Sequence, residues 1–216
     1  MVDVIHKKDF VEIKYTGKEG SKIFDSNIEQ DLKQISPEKK PKKSIIIVGE
    51  KMVLPGLDNA LEGKEIGKEY EINLAPRDAF GNRDRNLVKT IPLKIFTEQK
   101  INPYHGQTLF LDQMIARIIT VSGSRVLTDF NHPLAGKSVS YKFTIIRKVT
   151  DEKEKAESFF NFFFGITPEF EIKEKVLVSI SPQMESLVKI FAPKFKELFG
   201  KDLDFKIIKL EEKTLQ

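Results

Sequence analysis

Few side chains in this sequence are equipped for covalent chemistry. It contains no cysteine, which removes thiol nucleophiles, disulfides and cysteine-ligated zinc. His6, His105 and His132 are scattered, with no i, i+4 pair and no carboxylate at ligand spacing, so no metal site is expected. Neither a glycine-rich phosphate loop nor a nucleophile elbow occurs, and no cofactor is expected. The remaining candidates are aromatic or apolar groups beside short polar ones: Tyr15, Phe24-Asp25-Ser26, Val53-Leu54, Leu57, Phe80 and Tyr141. Taken singly, the aromatics read as core residues, Asp25-Ser26 as a turn or helix cap, and Val53 and Leu57 as ordinary packing.

The elements that must position these residues are mainly strands in the first two thirds of the chain. Apolar and polar residues nearly alternate from Phe10 to Tyr15, and Gly17 and Gly20 follow as punctuation. Ser36 to Lys43 carries two prolines and four lysines and reads as an exposed loop. It is short and lacks the interleaved aromatics of a nucleic-acid surface. Ile45 to Val48 is a β-branched strand. Leu54-Pro55-Gly56 turns into a short helix with Leu57, Ala60 and Leu61 on one face, ending at Gly63. Further strands are expected at Glu69–Leu74, within Leu109–Val121 and at Val139–Val149, with Ser122-Gly123-Ser124 a hairpin turn.

The last third is different. Helix is expected from Glu154 to Phe164, ending at Gly165, and strand from Phe170 to Ile180. Ser181 and Pro182 would start a helix whose apolar stripe is Met184, Leu187, Val188 and Phe191. Pro193 should break or kink that helix before Phe195, Leu198 and Phe199 continue the stripe to Gly200, and Leu203 to Leu210 would be a last strand. Ten of the 17 phenylalanines lie after Lys155.

The composition excludes several classes. Thirty-six basic against 32 acidic residues leave a net charge of +4 spread over both signs, so neither a nucleic-acid nor a membrane partner is implied. No stretch approaches the roughly 18 apolar residues of a membrane span. The first ten residues lack the apolar core of a secretory signal. With the absence of cysteine, a cytoplasmic location is expected. The length of 216 residues suits one or two compact domains.

Four ordered motifs resemble the FKBP-type peptidyl-prolyl isomerases, and their SlyD-like branch in particular. They are VEIKYTGKEGSKIFDSN (11–27), VLPGLDNALEGKEIGKEYEINLAPRDAFG (53–81), TIPLKIF with GQTLF (90–96 and 106–110), and NHPLAGKSVSYKF (131–143). The resemblance covers about residues 8–150. It implies an α+β fold: an FKBP-like half-open antiparallel sheet with a short helix (1–86 plus 128–151), an inserted small β flap (87–127), and a C-terminal α+β domain (152–216). That last segment is similar to the extension of the longer archaeal members.

The resemblance also implies an activity, cis–trans isomerisation of X-Pro bonds in unfolded or proline-containing polypeptides, with the flap as a chaperone surface. By match of position, Tyr15, Phe24 and Tyr141 are its pocket walls and Asp25 its acidic residue. Val53 and Leu54 line the pocket and offer a backbone N–H, and Leu57 is the floor where other members carry Trp. Phe80 stands where a hydrogen-bonding Tyr is usual, a departure that keeps open a second reading, a non-catalytic peptide-binding chaperone or assembly factor. The aromatic tail has three expected coverings: a second copy in a homodimer, the core of its own chain, or a client.

Overall fold

The computed structural model describes residues 4–208 apart from Asp112. The chain opens with β1 (Phe10–Glu19), β2 (Lys22–Ser26), α1 (Glu29–Ile35), β3 (Ser44–Ile47), α2 (Pro55–Leu61) and β4 (Glu69–Leu74). It then runs through β5 (Val88–Pro92), α3 (Leu93–Glu98), β6 (Thr108–Leu111), β7 (Met114–Ser122) and β8 (Arg125–Asp129) before β9 (Val139–Lys148). The final third is α4 (Glu152–Phe164), β10 (Glu169–Ile172), β11 (Val176–Ile180), α5 (Glu185–Phe199) and β12 (Leu203–Ile207). The fold is α+β.

Five antiparallel strands form the first sheet, in the order β2-β1-β9-β4, with β3 on the same edge of β1 as β2. The alternation read from the sequence places Val11 and Ile13 of β1 and Tyr141, Phe143 and Ile145 of β9 in one core. Leu57 and Leu61 of α2 pack into it, fully buried. Burying such side chains stabilises by about 1.5–3 kcal/mol each.

The segment between β4 and β9 carries its own four-stranded sheet, β5-β8-β7-β6, closed by α3 over Phe96, Ile118 and Val126. Its two ends meet at β5 and β8, where Val88 pairs with Asp129. Asn131 fastens this junction. Its amide donates to the Asp84 carbonyl at 2.9 Å and to the Asp129 carboxylate at 2.7 Å, while its oxygen accepts from Asp84 N–H at 2.8 Å. Arg83 pairs with the other oxygen of Asp129 at 2.6 Å.

The tail builds a three-stranded sheet, β10-β11-β12, in which β11, α5 and β12 form a parallel crossover. Phe159, Phe160, Phe164 and Phe195 are buried there with Val176, Val178 and Val188, and the same cluster takes in Phe10, Ile47 and Val149. Most of the aromatic surface is therefore covered within the chain, by α4 and α5 and by the first sheet. Phe162, Ile166, Ile190 and Ile207 stay exposed. The Ser158 hydroxyl donates to the Ile45 carbonyl at 2.8 Å and ties α4 to β3.

Several local expectations change. Phe170–Ile180 is two strands, because Lys173-Glu174-Lys175 turns the chain and pairs Ile172 with Val176. Pro193 does not end α5, which runs on to Phe199. A proline inside a helix costs about 3 kcal/mol, and the aromatic packing of Phe191, Phe195 and Phe199 on either side holds the helix through it. Pro182 starts a separate 3-10 turn ahead of α5. Helix α1, for which the sequence pattern gave no sign, follows β2. The last strand ends at Ile207, and the expected strand residues 209–210 lie outside the described residues. No helix among the described residues is long and apolar enough to cross a membrane.

Candidate functional site

All eight residues expected at a site converge at one end of the first sheet. Tyr15 lies on β1, Phe24 and Asp25 on β2, and Tyr141 on β9. Val53 and Leu54 lead into α2, Leu57 is its inward face, and Phe80 follows a 3-10 turn after β4. Tyr141 and Leu57 are buried, while Tyr15, Phe24, Val53, Leu54 and Phe80 are half-buried around them. Phe24 meets two rings edge to face, Tyr141 at 5.8 Å and Phe80 at 5.6 Å, and Tyr15 lies tilted 6.1 Å from Tyr141. Such aromatic pairs hold one another in fixed orientations. Phe80 is backed by His132, stacked on it at 4.5 Å.

Asp25 separates two cavities. One, of about 340 Å³, includes Tyr15, Val53 and Met52 in its lining, and the other, of about 520 Å³, includes Phe24, Phe80 and His132. Burial pushes the Asp25 carboxyl upward, against the lowering effects of Tyr15 and Lys39. Burial, reinforced by the Asp25 carboxylate, pushes the Tyr15 phenol up to about 12. The Tyr141 phenol is raised for the same reasons. Both phenols thus stay neutral at physiological pH and serve as hydrogen-bond donors on apolar rings.

Two residues given no role from the sequence, Asn27 and Asp58, set this geometry together with Ser26. Asn27 locks the segment after Asp25 to β1: its oxygen accepts from Tyr15 N–H at 2.8 Å and its amide donates to the Ile13 carbonyl at 2.7 Å. Ser26 donates to the Tyr15 carbonyl at 2.9 Å. Asp58, buried on α2, accepts from Gly49 and Lys51 N–H, each at 2.8 Å, and so fixes the turn that presents Val53 and Leu54. No sequence periodicity marks any of these three.

Gly17 is a correction. It stands inside β1, opposite both Tyr141 and Asp25, rather than in the turn. A Cβ there would sit 2.8 Å from the Tyr141 ring and 2.9 Å from the Phe24 ring. A glycine within a strand pattern signals such a close approach. Among the described residues no group of three or more histidine or acidic side chains is placed to hold a metal ion.

Comparison with known proteins places the chain in a family. Residues 3–96 match the family model of FKBP-type peptidyl-prolyl cis-trans isomerase, and residues 89–134 match that of the FKBP26 IF domain. The short-type peptidyl-prolyl cis-trans isomerase of Methanocaldococcus jannaschii is 34% identical over 154 residues, covering 70% of this chain and 96% of that protein. The SlyD isomerase of Helicobacter pylori is 28% identical over 157 residues, covering 70% and 79%. The SlyD isomerase of Escherichia coli is 31% identical over 112 residues, covering 49% and 56%. The chain belongs to the FKBP-type peptidyl-prolyl cis-trans isomerases.

Gly17→Ala should therefore impair the site without removing any site side chain. The new methyl displaces the Tyr141 and Phe24 rings, and misplacement on the order of 1 Å can cost about 100-fold in rate. We expect isomerisation of a short X-Pro peptide to fall by about 10- to 100-fold while the far-UV spectrum is kept. Wild-type activity in this variant would show that ring placement is not limiting.

Proposed function

We propose that this enzyme isomerises X-Pro bonds of unfolded polypeptides at the cluster around Tyr141, and that the segment from Val88 to Asp129 holds those polypeptides as a chaperone surface. The carrying observation is that Tyr15, Phe24, Val53, Leu57, Phe80 and Tyr141 pack in one apolar cluster whose half-buried members line two cavities that meet at Asp25.

The reaction suits such a site. Rotation about the X-Pro amide crosses a barrier of roughly 18–20 kcal/mol because resonance is lost when the bond twists. No bond breaks, so no nucleophile is needed. A dry apolar wall removes water from the polar planar amide, and fixed donors favour the twisted one. A thousandfold acceleration corresponds to about 4 kcal/mol of such differential stabilisation. Leu57 and Tyr141 form the floor and wall for the proline ring. Leu54, at the N-terminal boundary of α2, has an N–H with no acceptor among the described residues, available to a substrate carbonyl. Asp25 holds the Tyr15 phenol by a hydrogen bond, lies near the Tyr141 phenol, and faces the twisting amide.

The chaperone role draws on exposed apolar groups. Ile95, Tyr104, Phe110, Met114 and Ile115 are all exposed, Phe110 to 72%. A surface of this kind suits clients of varied sequence.

Phe80 supports a second reading. It lacks the hydroxyl of a tyrosine and its face is occupied by His132, so a peptide-binding chaperone without catalysis has one donor fewer to explain. A protease-coupled assay on a short X-Pro peptide separates the two. Clear acceleration by the wild-type chain, reduced by Asp25→Ala by about tenfold, is expected. No acceleration, with client aggregation still suppressed, would sink the enzymatic reading.

A further inference from the structure

The cavity on the Tyr15 side of Asp25 has an unbalanced charge. Four lysines line it, Lys39, Lys40, Lys42 and Lys43, and Asp25 is its one carboxylate. Lys43 is already engaged, 2.7 Å from Glu154 and 3.6 Å from Glu12. Lys39, Lys40 and Lys42 are exposed and make no ion pair among the described residues. Glu38, the acid of the same loop, does not line the cavity, and Glu154 and Glu157 face a neighbouring one.

The cavity is constructed rather than incidental. Its lysines stand on a loop whose backbone is restricted by Pro37 and Pro41, so less conformational entropy is lost when they engage a ligand. The lining also includes Asn161 of α4, a residue of the tail. The tail helix is held there by the Ser158–Ile45 hydrogen bond and by Arg147, 2.7 Å from Glu154. Lys39 is also close enough to Asp25 to lower its carboxyl's proton affinity. Tyr15, Asp25 and Val53 of the site line this same cavity, so a polypeptide with its proline beside them lays neighbouring residues toward the lysine loop.

We propose that this cavity is a subsite favouring X-Pro segments with carboxylate side chains next to the prolyl bond, with Lys39, Lys40 and Lys42 as its specificity-determining residues. The inference rests on the isomerase reading above and adds a substrate class to it. Acidic peptide fits better than nucleic acid, because the lysine loop from Ser36 to Lys43 has no aromatic on which bases could stack.

The test compares matched X-Pro peptides that carry Glu, Gln or Lys beside the proline, with kcat/KM of the full chain measured at low and high ionic strength. At low salt the Glu peptide should exceed the Gln peptide by about fivefold, and the ratio should approach one near 1 M salt, where screening acts within about 3 Å. The combined variant Lys39→Glu, Lys40→Glu, Lys42→Glu should invert the order so that the Lys peptide leads. Equal rates for all peptides, or an unchanged order in the variant, would overturn the subsite. A short oligonucleotide competing as strongly as the Glu peptide at equal charge would also overturn it, as would a preference insensitive to salt. Failure to isomerise any of the peptides would instead strike the isomerase reading itself.

Discussion

Phe195→Ala should lower the unfolding free energy of the whole chain by about 3–5 kcal/mol. Phe195 is fully buried, stacked on Phe199 at 4.0 Å, and 5.1 and 5.8 Å from Phe159 and Phe160. Truncation leaves a cavity that these rings cannot collapse into without giving up their stacked and edge-to-face contacts with one another. It also removes the burial that offsets Pro193, two residues earlier in α5. Because the same cluster contains Phe10, Ile47 and Val149, the loss should reach the first sheet, and urea unfolding should remain a single transition shifted to lower denaturant. Phe162→Ala, at a position 42% exposed, should change stability by no more than about 0.5 kcal/mol. If Phe195→Ala melted the tail alone and left the midpoint of the first sheet unmoved, the tail would be a separate folding unit and the shared core would carry no energy.

The contrast between these two phenylalanines shows what the sequence could and could not convey. Helix α4 was legible: Asp151 caps it, accepting from Glu154 N–H at 2.8 Å, and Gly165 ends it with φ of 72°. Which of its aromatics turn inward was not, because Phe159 to Phe164 is aromatic almost all round and its stripe depends on where α5 and β11 lie. Pro193 misled for a similar reason, since a local rule was outweighed by tertiary packing. The candidate site was legible as an ordered set of motifs, and its residues Tyr15, Leu57 and Tyr141 pack in one cluster beside Asp25. Its supports were not. Asn27 and Asp58 act through backbone hydrogen bonds made across turns, and their residue types are equally at home in any loop. Gly17 carried a weak signal, a glycine within an alternating strand, which the nearby Gly20 turn obscured.

The tail also alters how the site itself should be understood. Asn161 lines the cavity beside Asp25 while Phe159 and Phe160, on the same helix, anchor the aromatic cluster. Substitutions that loosen that cluster should therefore move a wall of the cavity beside Asp25 as well as lowering stability. A peptide assay on such variants should be run well below their midpoints, so that altered selectivity is not mistaken for partial unfolding.

Removing the segment between Leu87 and Phe130 should leave short-peptide isomerisation within about threefold of wild type. Catalysed refolding of a proline-limited protein should fall by about 100-fold, the lower end of the gain that a tethered second site provides. The structure favours a clean deletion. Phe130 N–H donates to the Leu87 carbonyl at 2.9 Å, so the cut ends already lie side by side and a two- or three-residue glycine linker can join them. Asn131 and Asp84 remain to fasten the junction. The pocket residues Tyr15, Leu57 and Tyr141 belong to a different core cluster from Phe96, Ile118 and Val126. Peptide activity should therefore persist, while an unfolded protein loses the exposed surface of Tyr104, Phe110 and Ile115 that would hold it near Asp25. Replacing Tyr104, Phe110 and Ile115 together by serine in the full chain should reproduce most of the refolding defect with the segment still folded. Refolding catalysed equally well by the deletion and the wild type would refute the tethering role. Loss in the deletion but not in the triple serine variant would assign it to a different face of the same sheet.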